Sequence, residues 1–481
     1  MNPNLIQKTY LILVIALIIN GCSHFPEPRH IIDSSLPSYH IESQVFNKKI
    51  DTKPAAIIYC RNVAQIKAAM VYAQDQNYPI RIRSGRHSYE GFSSGNGILV
   101  IDLSQFKDLT LSKDKKTVKL GAGLDSYTIA KKLAPFGVTI PLGSCPSVGI
   151  AGLTLGGGLG FSSRLIGLTA DSLIEFEIVD FEGKLLKVNA HNHPNLFWAG
   201  RGAGHGSFGI ITSFTFKTHP ISQVTIYKLN MDWSYLHPAT NAWFNIQKYA
   251  PKELMLFLRF SKKEGKKTLT TFGQFYGSPA KLKEVLHPIL KINPDFEKNI
   301  QIEVMPYLRA IEYWAGISQH NKNSYQRDLF NHRKAFKATS LLLQKPFPQK
   351  AIEIIDAFYS KPEINDNFTV LDSLGGAIAE KPDNFNAYAH RSSIASVQTL
   401  AYWTLEENKL SQNLWARDFY HRLAPFGKGA YRNYEDIWLP NWGQAYYGEH
   451  FETLIKIKQQ YDPLNLFSYP QSIPIASSTK P

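Results

Sequence analysis

Apolar residues recur at helical spacing over 62–77, where Val63, Ile66, Met70 and Ala73 share one face. The spacing predicts a helix with Asn62 as its N-cap. Strands are expected at Ile80 to Arg83, Ile98 to Leu103 and Thr117 to Leu120, and a second helix at Ser126 to Leu133. Ser84 to Gly97 is turn-rich. This is close α and β alternation with short loops. Past Pro220 the pattern changes. Residues 222–420 mix helical segments such as 347–359 with strand-like runs at Leu254 to Phe260 and Thr268 to Tyr276, and glycine thins out. Residues 431–473 recover the Gly, Tyr and Pro character of the first part.

The N-terminus follows another rule. Lys8 precedes an apolar stretch, Tyr10 to Ile19, which is too short for a mature membrane span and fits a signal segment over 1–21. It ends in Ile19-Asn20-Gly21-Cys22, which resembles a bacterial lipobox with Cys22 as the lipidated residue. Ser23 suits an outer-membrane destination by the same resemblance. An ordinary secretory signal with an incidental Cys is the other reading. Residues 22–45, with Pro26, Pro28 and Pro37, read as a tether.

With 481 residues the chain has ample length for more than one core. The formal charge of +14 raises nucleic-acid binding, but the Lys and Arg are dispersed and no nucleic-acid-binding signature occurs. A basic surface facing an anionic membrane or envelope fits better. The three Cys, at 22, 60 and 145, form no C-x-x-C pair, so a zinc ribbon and a thioredoxin-like site are both out. Cys60, in the run AAIIYC, reads as a buried structural thiol.

Eight of the 32 glycines lie between 143 and 167, around GSCPSVGIAGLTLGGGLGFSS. Such density implies backbone in close approach to a ligand, and a dinucleotide pyrophosphate is the natural guest. A G-x-G-x-x-G match at Gly204, Gly206 and Gly209 runs into Ile210 to Phe216, which alternates as a strand. With no helix to follow, a Rossmann site is excluded. A second loop, Arg83 to Gly91, carries His87, which alone would read as a surface histidine.

Together these residues resemble the berberine bridge enzyme-like family of FAD-linked oxidases, within the vanillyl-alcohol oxidase (PCMH-type) superfamily. The matching motifs are RSGRHSYEG, GSCPSVGIAG with LGGGLG, LFWAGRGAGHGSFGI, YRNYED and YYGEHFETLIKIKQQYDPLNLFSYPQSI, in the family's order from about residue 50 to 474. The resemblance implies an α+β fold. A PCMH-type FAD-binding domain of two α/β subdomains would occupy 46–221. A substrate domain, an antiparallel sheet covered by helices, would occupy 222–430, and 431–475 would return to the FAD domain. It also implies FAD bound covalently through His87 and Cys145. Arg83, Ser84, Gly85, Arg86 and Ser88, with Val148, Gly149, Gly152, Gly157 and Gly158, would surround the cofactor. Ile211 would lie near the adenine, with Tyr431 and Asn433 close by. Alone, Cys145 would read as a buried loop thiol.

Oxidation of an alcohol needs a base for the O–H proton while hydride leaves carbon. By the same resemblance that base is Tyr434, and Tyr89 lines the pocket, with Gln398 a further candidate. A tyrosine, with an ordinary pKa near 10, needs help to act as a base. Asp372 is the candidate partner because VLDSLGG resembles the family's substrate-domain strand, which carries an acidic or Tyr partner just before Gly-Gly, and Val370, Asp372 and Leu374 would share one strand face turned to the cleft. A turn cap before Gly375 and a packed core tyrosine are the structural alternatives. In plant relatives a Val at the position of Val148 goes with oxygen access. The expected activity is therefore that of an oxidase taking an alcohol, sugar or phenolic substrate and oxygen. A dehydrogenase with another acceptor and a non-catalytic flavin-binding envelope lipoprotein are the rivals.

Overall fold

The structure, a computed structural model, describes residues 31–203, 205–318, 320–321, 332–362 and 366–476. The signal segment and Cys22 lie outside the described residues. Among the described residues no helix is long and apolar enough to cross a membrane.

The architecture is α+β and rests on three main sheets. The first joins the parallel strands Ala56–Tyr59, Leu99–Asp102 and Ile80–Arg83, with the short Ile31–Ile32 antiparallel at its edge. The helix Val63–Asp75 links two of these strands, and the Asn62 side chain accepts the Gln65 N–H at its start. It buries Ile66, Ala69, Met70 and Ala73 against the sheet, as the apolar spacing requires. The helix Ser126–Leu133 is capped in the same way by Asp125. The second sheet, of five strands, is antiparallel throughout. The strand Ile210–Lys217 lies at its centre, so the glycine match before it leads into a sheet and not into a helix.

The third sheet has seven antiparallel strands, in the order 301–306, 223–231, 266–275, 254–263, 367–373, 395–403 and 335–343. Alternation divides its residues between two faces. Leu256, Leu258, Phe260, Leu371 and Val397 point to the side where the helices Leu236–Tyr249, Gln349–Ser360 and Lys409–Leu423 pack. Phe257, Arg259, Val370, Asp372, Ser396 and Gln398 share the opposite face through their cross-strand register. The chain then returns to the first core. Tyr446, Tyr447, Leu454, Ile457, Phe467 and Ile473 pack with Ile101, Leu120 and Phe214. This return carries residues 431–435 to the boundary between the first core and the uncovered sheet face.

Candidate active site

A deep cleft enclosing ≈ 1430 Å³, its open mouth included, lies at that boundary. Its walls come from the loop 84–89, the glycine-rich run 143–159, residues 205–211, Gln398, and the C-terminal residues 431–435 and 467–469. Its floor is set by glycine. A Cβ on Gly85 would sit 2.5 Å from the Gly149 nitrogen, and one on Gly149 would sit 2.8 Å from the Gly85 nitrogen. The two loops therefore cross backbone on backbone, and neither position has room for a side chain. Gly149 precedes a short helix, Ile150–Leu155, which the glycine density of the run obscures in the sequence.

His87 and Cys145 both line this cleft. The His87 ring stacks on Phe46 with centroids 4.1 Å apart, and Ser147 Oγ meets its Nε2 at 3.0 Å. Burial pushes the His87 pKa down to about 3, so the ring is neutral and keeps a lone pair for bonding. Cys145 is exposed to the cleft. The surrounding protein raises its thiol pKa, while a bond with Ser144 and the charge of Arg259 act in the opposite direction. Cys60 is fully buried, and burial pushes its thiol up to about 12.

Across the cleft, Tyr434 Oη donates to Asp372 Oδ2 at 3.4 Å. The Tyr434 ring lies parallel to Tyr89, with centroids 6.0 Å apart and planes 4° apart. Gln398 Nε2 donates to Tyr89 Oη at 3.0 Å. Asp372 sits within the strand Asn367–Ser373, paired with Phe257 and Ser396, and not in a turn. Burial pushes its carboxyl up to about 7, against the bond from Tyr434 and the charge of Arg259. Burial, with Asp372 second, raises Tyr434 well above 10. A free phenolate at Tyr434 is therefore disfavoured, and the carboxylate is the better resting place for a proton.

The neighbouring residues hold this arrangement. Tyr431 Oη accepts the N–H groups of Gly158 and Leu159, both at 3.0 Å, and a bond from Asn433 Nδ2 at 2.9 Å. Asn433 Nδ2 also donates to the Leu153 carbonyl at 3.0 Å, and Asn433 Oδ1 meets His205 Nε2 at 2.8 Å. Ser84, Arg86, Ser88, Val148, Gly152 and Ile211 line the cleft. The Arg86 side chain turns to Glu42 and Tyr59.

Three expected cofactor residues lie outside the cleft wall. Arg83 is buried in an ion pair with Asp102 at 2.6 Å, which consumes its guanidinium beneath the sheet. Gly157 faces Tyr388, and Gly158 faces Thr169 while its N–H goes to Tyr431. Both have positive φ, 108° and 85°, a conformation that favours glycine. Asp372 also lies off the wall and reaches it through Tyr434. Conversely, His205 and Glu435 line the cleft without having been singled out. Glu435 lies 3.3 Å from His205 Nδ1 and 3.4 Å from Arg432, and accepts a short bond from Ser88. The only trace in the sequence is two polar residues inside matched motifs.

The donor set fits FAD. The cleft and the two crossing loops with no room for Cβ atoms suit a dinucleotide held close to backbone. Residues 54–189 match the FAD binding domain, and 430–474 match the berberine and berberine-like domain. An uncharacterized FAD-linked oxidoreductase of Bacillus subtilis (strain 168) is 34% identical over 449 residues, covering 92% of this chain and 96% of its own. The monolignol oxidoreductase of Arabidopsis thaliana is 28% identical over 515 residues, covering 96% and 93%. The solved structure of a wild-type berberine bridge enzyme-like protein of Physcomitrella patens superimposes with a TM-score of 0.85 at 30% identity, covering 93% and 97%.

Proposed function

The chain belongs to the berberine bridge enzyme-like family of FAD-linked oxidoreductases, and from that membership we propose that it oxidises an alcohol, sugar or phenolic substrate at an FAD bonded to both His87 and Cys145. The observation that carries the reading is the Tyr434–Asp372 hydrogen bond at the cleft that His87 and Cys145 also face.

FAD, when bound, supplies the acceptor for the hydride that leaves the substrate carbon. The protein handles the accompanying proton. Tyr434 receives it from the substrate hydroxyl as its own proton passes to Asp372. Neither a charged phenolate nor a second buried anion need accumulate. Tyr89, held by Gln398 and lying parallel to Tyr434, forms the other wall and orients the substrate. The substrate loses two electrons and two protons in all and becomes a carbonyl compound. Oxygen takes up the same electrons and protons to give hydrogen peroxide.

Val148 supports oxygen as the acceptor, because a small side chain lines the cleft three residues after Cys145. The check is stopped-flow reoxidation of the reduced holoenzyme in aerated buffer. Reoxidation at least as fast as turnover is expected. Reoxidation much slower than turnover with an artificial acceptor would make the protein a dehydrogenase. Export, with a lipid anchor at Cys22, completes the proposal and would place this chemistry at the bacterial envelope.

A further inference from the structure

Arg259 lies mid-strand in Leu254–Lys263. Its register partner is Val370, which in turn pairs with Gln398. Asp372 lies two residues along from Val370, so Arg259, Asp372 and Gln398 share one sheet face. The bonds that Asp372 accepts from Tyr434 and that Gln398 donates to Tyr89 identify that face as the one turned to the active site. Arg259 also acts electrostatically on both Asp372 and Cys145.

The guanidinium is held between two rings, with Phe272 5.0 Å away and Phe368 4.9 Å away. Its Nε is buried without a hydrogen-bond partner. Among the described residues it joins no ion pair. The more deeply buried arginines each engage an acceptor, Arg201 through the Phe197 and Phe385 carbonyls. Arg83 is paired with Asp102, Arg391 with Asp171 and Arg432 with Glu435. Arg164 donates to four backbone carbonyls. Asp372, the carboxylate on the same face, directs its oxygen to Tyr434.

A guanidinium stays charged at any working pH and presents five N–H donors in a fixed plane. Held between aromatic walls and lacking an acceptor, it matches a planar anion that enters edge-on, and a carboxylate fits that fork with two parallel bonds. We propose that Arg259 binds a carboxylate carried by the substrate, which narrows the substrate class to acids that bear an oxidisable hydroxyl, such as uronic acids or hydroxymethyl-benzoic acids. The assignment rests on the oxidase reading above.

The test uses holoenzyme and matched pairs: D-glucuronate with D-glucose, D-galacturonate with D-galactose, and 3-(hydroxymethyl)benzoate with benzyl alcohol. Benzoate, which carries no oxidisable hydroxyl, is titrated separately against the flavin absorbance. At least one acid is expected to show a much lower KM than its neutral partner, and benzoate is expected to perturb the flavin band. Arg259→Met should raise that KM and weaken benzoate on the order of 10- to 100-fold. It should leave the KM of the neutral partners unchanged, and Arg259→Lys should recover part of the loss. The assignment fails if benzoate does not bind, if neutral partners serve as well as acids, or if Arg259→Met weakens acid and neutral substrates alike. Benzoate binding that depends on Arg259, with no flavin reduction by any pair, would uphold the anion site and overturn the oxidase reading.

Discussion

Tyr434→Phe is expected to slow reduction of the bound flavin by about 10²- to 10⁴-fold, the range of a lost general base, while the flavin stays on the protein. Phenylalanine keeps the ring that packs parallel to Tyr89 and edge-on to Tyr431, so the wall of the site is retained. What is lost is the oxygen through which the substrate proton reaches Asp372. Asp372→Asn should fall in the same range, because an amide cannot take that proton. The double variant should be little slower than either single one, since the two act as one relay. The pair also predicts a pH dependence. The Asp372 carboxyl is pushed up to about 7 by burial. Below that pH it is protonated and cannot accept, so the rate of flavin reduction should fall as pH drops through about 7 and level off above it. Asp372→Asn should abolish this limb. Anaerobic stopped-flow absorbance at the visible flavin band reads all three. A Tyr434→Phe enzyme that reduces its flavin at the wild-type rate would remove the relay from the mechanism.

The second large effect concerns stability. Lys337 is fully buried and makes short bonds to both Glu90 and Asp436, with its ammonium 4.6 Å from the Trp438 ring. Glu90 has a second cation, Lys49, at 2.8 Å. Among the described residues Asp436 pairs with no other cation, although it accepts the Trp438 backbone N–H. Lys337 thus ties three parts of the fold together: the strand Ala335–Leu343, the loop after Tyr89 and the segment after Tyr434. Lys337→Met would leave the buried Asp436 carboxylate without its cation and should destabilise the protein by about 3–5 kcal/mol. Urea unfolding followed by circular dichroism measures this. Adding Asp436→Asn to Lys337→Met should recover part of the loss, because the cost lies in the stranded charge and not in the missing lysine. An unchanged unfolding midpoint in Lys337→Met would mean that the network is not compensating buried charge.

Much of this was legible before any coordinates, for identifiable reasons. The helix Val63–Asp75 has both a 3.6-residue apolar period and a capping Asn, two local signals that agree. The strand Ile210–Lys217 was readable from alternation, and that reading removed the Rossmann alternative. The helix Ile150–Leu155 was not legible, because glycine within and around it weakens every helical signal and only tertiary packing holds it. Arg83 opens the first loop motif, and its partner Asp102 sits on the neighbouring parallel strand, a pairing that loop chemistry does not reveal. Gly157 and Gly158 look like a cradle in sequence, and the close approach of Tyr388 and Thr169, which leaves no room for a Cβ, becomes visible only in the fold. His205 and Glu435 meet only because the C-terminal segment folds back on the first core. Arg259 looks like an ordinary strand arginine until the register shows which face it shares.

The central claim of the proposed chemistry is a flavin bonded at both His87 and Cys145. The direct measurement is to denature the purified holoenzyme, precipitate it, and follow the flavin absorbance into the pellet and then into proteolytic peptides. The yellow colour is expected to remain with the unfolded chain, on a species that joins the peptide containing His87 to the one containing Cys145. His87→Ala and Cys145→Ala should each leave the flavin attached to the other peptide alone. Flavin released entirely into the supernatant by denaturation would contradict the double attachment.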